Sequence, residues 1–247
     1  MGNGKNESGA SLSDRIGDFV QRNRTVIFFS IGFLVVLFTG FLIFLSAKEY
    51  FQNKATAEVE ELNRKYVDIK SSGDDHDHDG DGEPDHPFDE HEDAAAETGA
   101  LLEELTVFAK GKGSYAGARA WYIIANIYID RKDWQQAEQA WLNCAKTGNR
   151  TYLAPIAFFN AAAAAEEQGN LEQAAGYLSK CIEHPFGFSE AARAQFAIGR
   201  INETRGDFPA ALEAYRTVLA KWPKITLWTN LAHSRITALE IQTALEN

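Results

Sequence analysis

The residues best suited to hold a metal ion lie in one acidic stretch, residues 71–93. It contains eleven acidic residues, no Lys or Arg, and four of the six histidines of the chain. The Asp-x-Asp-x-Asp run that leads into Gly82 matches the start of a calcium-binding loop, in which alternate carboxylates converge and glycine permits a sharp bend. The bidentate Glu that should close such a loop is replaced by Phe88.

Two interpretations of this stretch stay open: a solvated acidic tether and a metal site. The composition cannot bury a hydrophobic core, so it predicts a flexible loop. Its His-x-His run beside carboxylates also suits zinc or nickel. A bound Ca²⁺ or Zn²⁺ would lie within residues 75–91, and the candidate ligands are His76, Asp77, His78, Asp79, Asp81 and Asp85.

The rest of the sequence contains no set of residues with the spacing of a catalytic centre. His184 and His233 are isolated, and no glycine motif that cradles phosphate is present. We therefore expect a protein that is not an enzyme. Outside the acidic stretch, 24 basic residues balance 24 acidic ones, so nucleic-acid binding is not indicated. Cys144 and Cys181 form no Cys-x-x-Cys motif, which argues against a cysteine zinc site or a disulfide framework.

A period of 37 residues organises the second half of the chain. It divides residues 118–228 into three units, 118–154, 155–191 and 192–228, which carry KDWQQAEQA, GNLEQAAGY and GDFPAALEA at the same offset. A fixed period in this range predicts a stacked repeat. In each unit, small residues would let two helices approach closely, and a polar or glycine-containing turn would join them.

These units resemble the tetratricopeptide repeat, a pair of helices (A and B) joined by a turn. In the first unit the resemblance is carried by Trp121, Ile124, Ala125, Tyr128, Ala137 and Trp141. It implies an all-α helical solenoid with a groove, lined by the A helices, that binds proteins or peptides. The residues at the matching groove positions are Arg119, Tyr122, Asn126, Phe159, Asn160, Arg193, Phe196 and Arg200.

The composition of this predicted groove favours one kind of partner. Asn126, Asn160 and Arg193 suit three positions of the carboxylate clamp known in chaperone-binding members, but Tyr122 and Ala197 replace the other two. A clamp for a C-terminal carboxylate is therefore not expected. The row formed by the three groove aromatics favours an extended or helical peptide with apolar anchors and some acidic character. The alternative is that these rings only pack between repeats.

One apolar segment precedes the repeats. Residues 25–47 contain no charge and, at about 1.5 Å per residue, are long enough to cross a hydrocarbon core of about 30 Å. The run is too long for the apolar part of a cleaved signal peptide, so we expect one transmembrane helix that acts as an anchor. Residues 1–24 form a polar tail with a possible amphipathic helix. Arg22 and Arg24 lie nearest the membrane edge, and their positive charges favour a cytoplasmic N-terminus.

Two helical segments flank the repeats. Residues 48–117 predict a divergent helical pair that the acidic loop 71–93 interrupts. Residues 229–247 predict a C-terminal capping helix, and a solenoid needs such a cap with a polar outer face. The apolar residues expected to pack this helix are Leu227, Leu231, Ala238, Ile241 and Leu245.

The whole layout resembles the bacterial ancillary Sec-translocon subunit family and its periplasmic repeat-containing relatives. This resemblance implies a single-pass protein of the bacterial inner membrane, with a cytoplasmic N-terminus and periplasmic repeats. It also implies contact with the translocon and with periplasmic chaperones or clients. The first hypothesis is therefore a membrane-anchored adaptor or chaperone-like scaffold. The alternatives are a metal-handling protein that uses the acidic loop and an assembly factor for another membrane complex.

Overall fold

The computed structural model describes residues 16, 19–74 and 87–245, and it contains two compact units, residues 1–53 and 54–247. From residue 24 on, the described residues form nine α-helices and no strand. They are α1 (Arg24–Asp74), α2 (Pro87–Gly111), α3 (Ser114–Asp130), α4 (Trp134–Thr147), α5 (Leu153–Glu167), α6 (Leu171–Ile182), α7 (Ala191–Thr204), α8 (Phe208–Lys221) and α9 (Thr226–Leu245). The predicted all-α stacked-repeat architecture is confirmed.

The first unit contains the apolar part of α1. Between Phe28 and Lys54 no residue is buried. Within the described part of the chain, α1 is the one helix long and apolar enough to cross a membrane, a property that a signal sequence near an N-terminus shares. The predicted span, residues 25–47, lies within it.

The second unit is built from helices that pack on their neighbours in chain order from α2 to α9. The A helices of the three repeats are α3, α5 and α7, and the B helices are α4, α6 and α8. Each A helix begins before the predicted start of its unit, at Ser114, Leu153 and Ala191 instead of at residues 118, 155 and 192. The connections between repeats, residues 148–152 and 183–190, are longer than the turns within them.

The turn within each repeat follows one local design. Gly169 and Gly206 both have φ of +76°, which glycine adopts without strain, and Lys132 has φ of +55° at the same point of the first repeat. The side chains of Asp133 and Asp207 then accept hydrogen bonds from backbone N–H groups, 3.2 and 3.1 Å long, at the starts of α4 and α8. These caps satisfy N–H groups that a helix start leaves unpaired.

Small residues set the distance between helices in the core. Ala137, Ala174 and Ala211, one in each B helix, are all fully buried. Gly199 in α7 lies directly against the ring of buried Tyr215 in α8, so that even a methyl group would collide with it. Close approach of this kind lets dispersion contacts accumulate along the helix pair.

A buried carboxylate joins the first repeat to the second. Glu138 of α4 is 7% exposed and accepts hydrogen bonds from Gln168, Gln173 and Tyr177, at 2.7, 2.8 and 2.8 Å. All three donors lie in the second repeat. Because a buried carboxylate must be hydrogen-bonded to be tolerated, this network fixes how the two repeats meet.

The segment before the repeats packs onto them through α1 and α2. Val59 and Leu62 of α1 and Leu105 of α2 belong to the same buried cluster as the first two repeats. Both helices extend into the range predicted as an acidic loop, because α1 ends at Asp74 and α2 begins at Pro87. Proline at the first helical position has its φ already set for the helix.

The last helix, α9, packs on the solenoid through a different face from the one predicted for the C-terminal capping helix. The face of α9 that packs on the solenoid carries Thr229, Ala232, Ile236 and Leu239. The side chains expected to pack face outward instead, with Leu227 63% and Leu245 83% exposed. The helix has apolar residues on both sides, so its pattern does not select one face, and the larger apolar residues lie on the side that faces away from the solenoid.

We expect Cys144 and Cys181 to stay reduced and unreactive in the folded chain. Both are buried, free and located at equivalent points of α4 and α6, and burial raises the pKa of each thiol to about 12. Since the thiolate is the nucleophile, iodoacetamide at pH 8 should modify neither residue before denaturation and both after it. Rapid modification of the native chain, or a 144–181 disulfide in its peptide map, would contradict the repeat packing.

Candidate protein-interaction groove

The predicted aromatic row lies along the A helices, one ring in each. Tyr122 packs edge-on against Trp141 with ring centroids 4.9 Å apart, and Phe159 lies 5.2 Å from Phe188. Phe196 contacts two rings, Tyr215 at 5.0 Å and Trp228 at 5.4 Å. All three row residues are half-buried. Each ring therefore has one side fixed by packing and part of its surface open to solvent.

Two of these rings line a common pocket of about 260 Å³, which we call the α5–α7 pocket. Its lining combines aromatic and aliphatic side chains with two arginines and one carboxylate: Phe159, Ala163, Glu166, Leu178, Arg193, Phe196, Ala197, Arg200 and Trp228. Four of the predicted groove residues thus come together, from the second and third repeats. The size suits one or two side chains of a partner, since sites for small organic ligands usually exceed about 300 Å³.

The two arginines of the α5–α7 pocket have different surroundings. Arg200 forms an ion pair with Glu166 of the preceding A helix. Arg193 is exposed, and its guanidinium lies 5.0 Å from the centroid of the Phe159 ring, within cation–π range. Among the described residues, no carboxylate pairs with Arg193. The positive charge available to a partner is therefore carried by Arg193, and the expected contribution of Arg200 is largely neutralised.

Ion pairs also connect α5 to α7 and α7 to α9. Glu203 of α7 pairs with Arg235 of α9, as Glu166 of α5 pairs with Arg200 of α7. Glu203 also accepts a 2.9 Å hydrogen bond from the hydroxyl of Tyr215. Both carboxylates occupy the same groove-lining position of their repeats, and the sequence did not indicate that they pair with arginines. The glutamates are partly buried but the arginines are largely exposed, so each pair contributes only modestly to stability.

The two remaining cation and aromatic candidates lie at the other end of the row. Arg119 donates to Glu60 of α1 at 2.9 Å, and its guanidinium lies 5.1 Å from the centroid of Tyr122. A second pocket of about 260 Å³ contains all three residues. Tyr115 and Tyr152 also line this pocket, and the 3.1 Å hydrogen bond between their hydroxyls raises the pKa of Tyr115 to about 12. Arg119 was expected to face a partner, but it forms an ion pair with Glu60 instead.

The other predicted site residues are not brought into these pockets. Asn126 and Asn160 are half-buried and line neither of them. The six candidate metal ligands between residues 76 and 85 lie outside the described residues. Within the described part, no group of three or more His, Cys, Asp or Glu side chains is placed to hold a metal ion.

Trp228 and Phe188 contribute to the row but were not predicted. Phe188 precedes α7 in an inter-repeat connection, and Trp228 is in the first turn of α9. The sequence offered one indication of their role: each is an aromatic residue near the start of a helix that follows a B helix. The 37-residue period gave no such indication, because neither residue has an aromatic counterpart one period earlier.

Comparison with known proteins shows that part of the repeat region is similar to known repeat proteins. Residues 159–224 match the tetratricopeptide repeat family, and residues 123–186 match a domain of unknown function, DUF6340. A TPR repeat-containing protein of Treponema pallidum (strain Nichols) is 32% identical over 148 residues, which cover 59% of this chain and 61% of that protein. The apo form of RapI, a solved structure, is 16% identical with a TM-score of 0.40, over 63% of this chain and 64% of that one.

Proposed function

We propose that this tetratricopeptide repeat protein is a membrane-anchored scaffold that binds a protein partner through the α5–α7 pocket. The observation that carries the proposal is the pocket itself, where half-buried Phe159 and Phe196 lie beside Arg193, which has no ion-pair partner among the described residues. Aromatic side chains and arginine are enriched in the cores of protein interfaces.

The chemistry of the pocket favours a particular partner segment. Its rings and Leu178 would accept apolar side chains, spaced to enter between two successive A helices. Arg193 would attract a carboxylate of the partner beside those anchors, and this part of the attraction should fade as salt screens it. An amphipathic helix or an extended segment with apolar and acidic residues meets both requirements.

The place of action that we propose is the bacterial cell envelope. The apolar part of α1 would anchor the chain in the inner membrane, with the repeats on the periplasmic side. The resemblance in layout makes the Sec translocon, periplasmic chaperones and exported clients the first candidate partners. An assembly factor for another membrane complex would use the same pocket, and only the identity of the partner separates the two.

Quantitative purification of the full chain from crosslinked membranes tests this function. Arg193→Glu should reduce recovery of the partner severalfold, because it reverses the charge that faces the partner and removes the cation–π contact. Arg150→Glu is the matched control, an exposed arginine in the connection between α4 and α5. Equal recovery with both variants would contradict the proposed pocket. Recovery of translocon subunits or periplasmic chaperones with the wild type would support the proposed link to the Sec translocon. Their absence would contradict that link.

The repeats are expected to be accessible from outside the inner membrane. This follows from the resemblance in layout and from Arg22 and Arg24 before the apolar segment. Protease added to spheroplasts should digest the 54–247 unit while a cytoplasmic marker stays intact. Full protection of the repeats in intact spheroplasts, with digestion only after lysis, would reverse the proposed topology.

A further inference from the structure

The outer side of α9 is an apolar stripe that no other described part of the chain covers. Its large residues are strongly exposed: Leu227 63%, Leu231 40%, Ile241 56% and Leu245 83%. Two small exposed residues, Ser234 and Ala238, lie between them. A continuous apolar stripe of this length is uncommon on a monomeric surface and usually marks an interaction site.

This stripe is the face that a complete repeat would cover with its own B helix. Arg235 in α9 corresponds to Arg200 in α7, since each pairs with a glutamate of the preceding A helix. In that register Ser234 corresponds to Gly199 and Leu231 to Phe196. Both α7 residues face Tyr215 of the B helix α8. Within the described residues, α9 is thus an A helix without a B helix.

The spacing and the sizes of the residues along the stripe are the same from either end. Positions 227, 231, 234, 238, 241 and 245 are spaced by four and three in alternation, the spacing of a seam between two helices. Large residues occupy both ends and small residues the centre, with position 236 at the midpoint. In an antiparallel pair of such helices, Leu227 would meet Leu245, Leu231 would meet Ile241, and Ser234 would meet Ala238. Small residues at the centre allow the helices to approach closely.

Charge does not oppose contact between two copies of this face. The stripe itself contains no charged residue. Two charged residues of the same helix, Arg235 and Glu240, are held in ion pairs with Glu203 and Arg216 of the same chain. Each copy would contribute an area on the order of 500 Å², so a pair would bury about 1,000 Å², the lower end of specific interfaces. Anchoring both copies in one membrane would raise their effective concentration.

We propose that α9 is a self-association surface, on which α9 of a second copy packs antiparallel about a two-fold axis level with Ile236. An interface of this symmetry uses the same patch on both subunits, as the order of the stripe requires. The surface is separate from the proposed binding of a partner in the α5–α7 pocket, and either proposal can fail without the other.

Disulfide crosslinking of the full chain in membranes tests the arrangement. Two differently tagged copies are co-expressed, one with Leu231→Cys and the other with Ile241→Cys. The expected product is a 231–241 crosslink between the tags under mild oxidation, without a 231–231 product. Buried Cys144 and Cys181 should not compete. A 231–231 crosslink would indicate a parallel pair and overturn the proposal, as would the absence of any crosslink between copies.

The mass of the detergent-solubilised full chain, measured over a range of concentrations, tests the association itself. Leu231→Glu should raise the dissociation constant about tenfold or more, because it buries a carboxylate in an apolar seam. His233→Glu, exposed on the same helix but off the stripe, should leave it unchanged. Both positions are exposed in the single copy, so both variants should still fold, which circular dichroism at a concentration below the dissociation constant would check. A wild-type chain that is monomeric throughout, or a dimer insensitive to Leu231→Glu, would overturn the proposal.

Discussion

Gly199→Ala is expected to lower the stability of the repeat unit by about 1–3 kcal/mol. A Cβ at this position would lie 2.7 Å from Cδ1 and 2.8 Å from Cζ of Tyr215, well inside van der Waals contact. The ring is fully buried, its hydroxyl donates to Glu203, and Phe196 packs against it. Relief would therefore need a movement of α7 away from α8, although the higher helix propensity of alanine would offset up to about 1 kcal/mol of the cost.

Gly176→Ala is the matched control for this prediction. Gly176 is also inside a helix, α6, but it is exposed and nothing lies within 4 Å of a Cβ placed there. Here only the helix propensity acts, so a stabilisation of up to about 1 kcal/mol is expected. Thermal unfolding of the detergent-solubilised chain, followed by near-UV circular dichroism, should give melting temperatures displaced in opposite directions. Displacement of both in the same direction would show that Gly199 does not set the distance between α7 and α8.

Phe159→Ala is expected to weaken partner binding about tenfold or more, which corresponds to at least about 1.4 kcal/mol. The ring is half-buried, contacts Phe188 and carries the guanidinium of Arg193 on its face. Its removal would eliminate the apolar anchor of the α5–α7 pocket and release Arg193. The substitution also removes the contacts that Phe159 makes within the free protein. A small fall in melting temperature should therefore accompany the loss of affinity.

Phe158→Ala separates binding from stability, because Phe158 adjoins Phe159 but faces α6. Its ring lies 6.4 Å from the ring of His184 and 5.9 Å from Nζ of Lys180, and it packs on the buried cluster of the first two repeats. This variant should lower the melting temperature and leave partner recovery unchanged once folded protein is compared. If Phe159→Ala also lowered the melting temperature and left partner recovery unchanged, the aromatic row would serve only to pack the repeats together. The α5–α7 pocket would then not be the partner-binding site.

Much of the fold follows from local rules that a sequence displays directly. The recurrence of Ala137, Ala174 and Ala211 at one period predicts the stacked helix pairs, since only a small residue fits where two helices meet closely. The apolar spacing in residues 227–245 pointed to the wrong face of α9, because this helix has apolar residues on both sides. The face that packs carries Thr229, Ala232, Ile236 and Leu239, and the larger leucines lie on the exposed side.

The sequence did not indicate how the charges of the candidate groove are paired. The resemblance to the tetratricopeptide repeat placed Phe159, Arg193 and Phe196 on one face, and these three residues line one pocket. It could not show that Glu166 neutralises Arg200 or that Glu60 holds Arg119, because these partners come from other helices and their distances depend on how the helices pack. Periodicity identifies faces, whereas charge pairing is a tertiary property.

Site-specific photocrosslinking of the full chain in membranes tests the central claim most directly. A photoreactive residue at Ala163, exposed in the α5–α7 pocket, should yield a discrete adduct with the partner, and Phe159→Ala in the same chain should abolish it. The same residue at Glu213, exposed on the B helix α8, should yield none. An adduct that forms only from position 213, or one from position 163 that persists with Phe159→Ala, would contradict partner binding through this pocket.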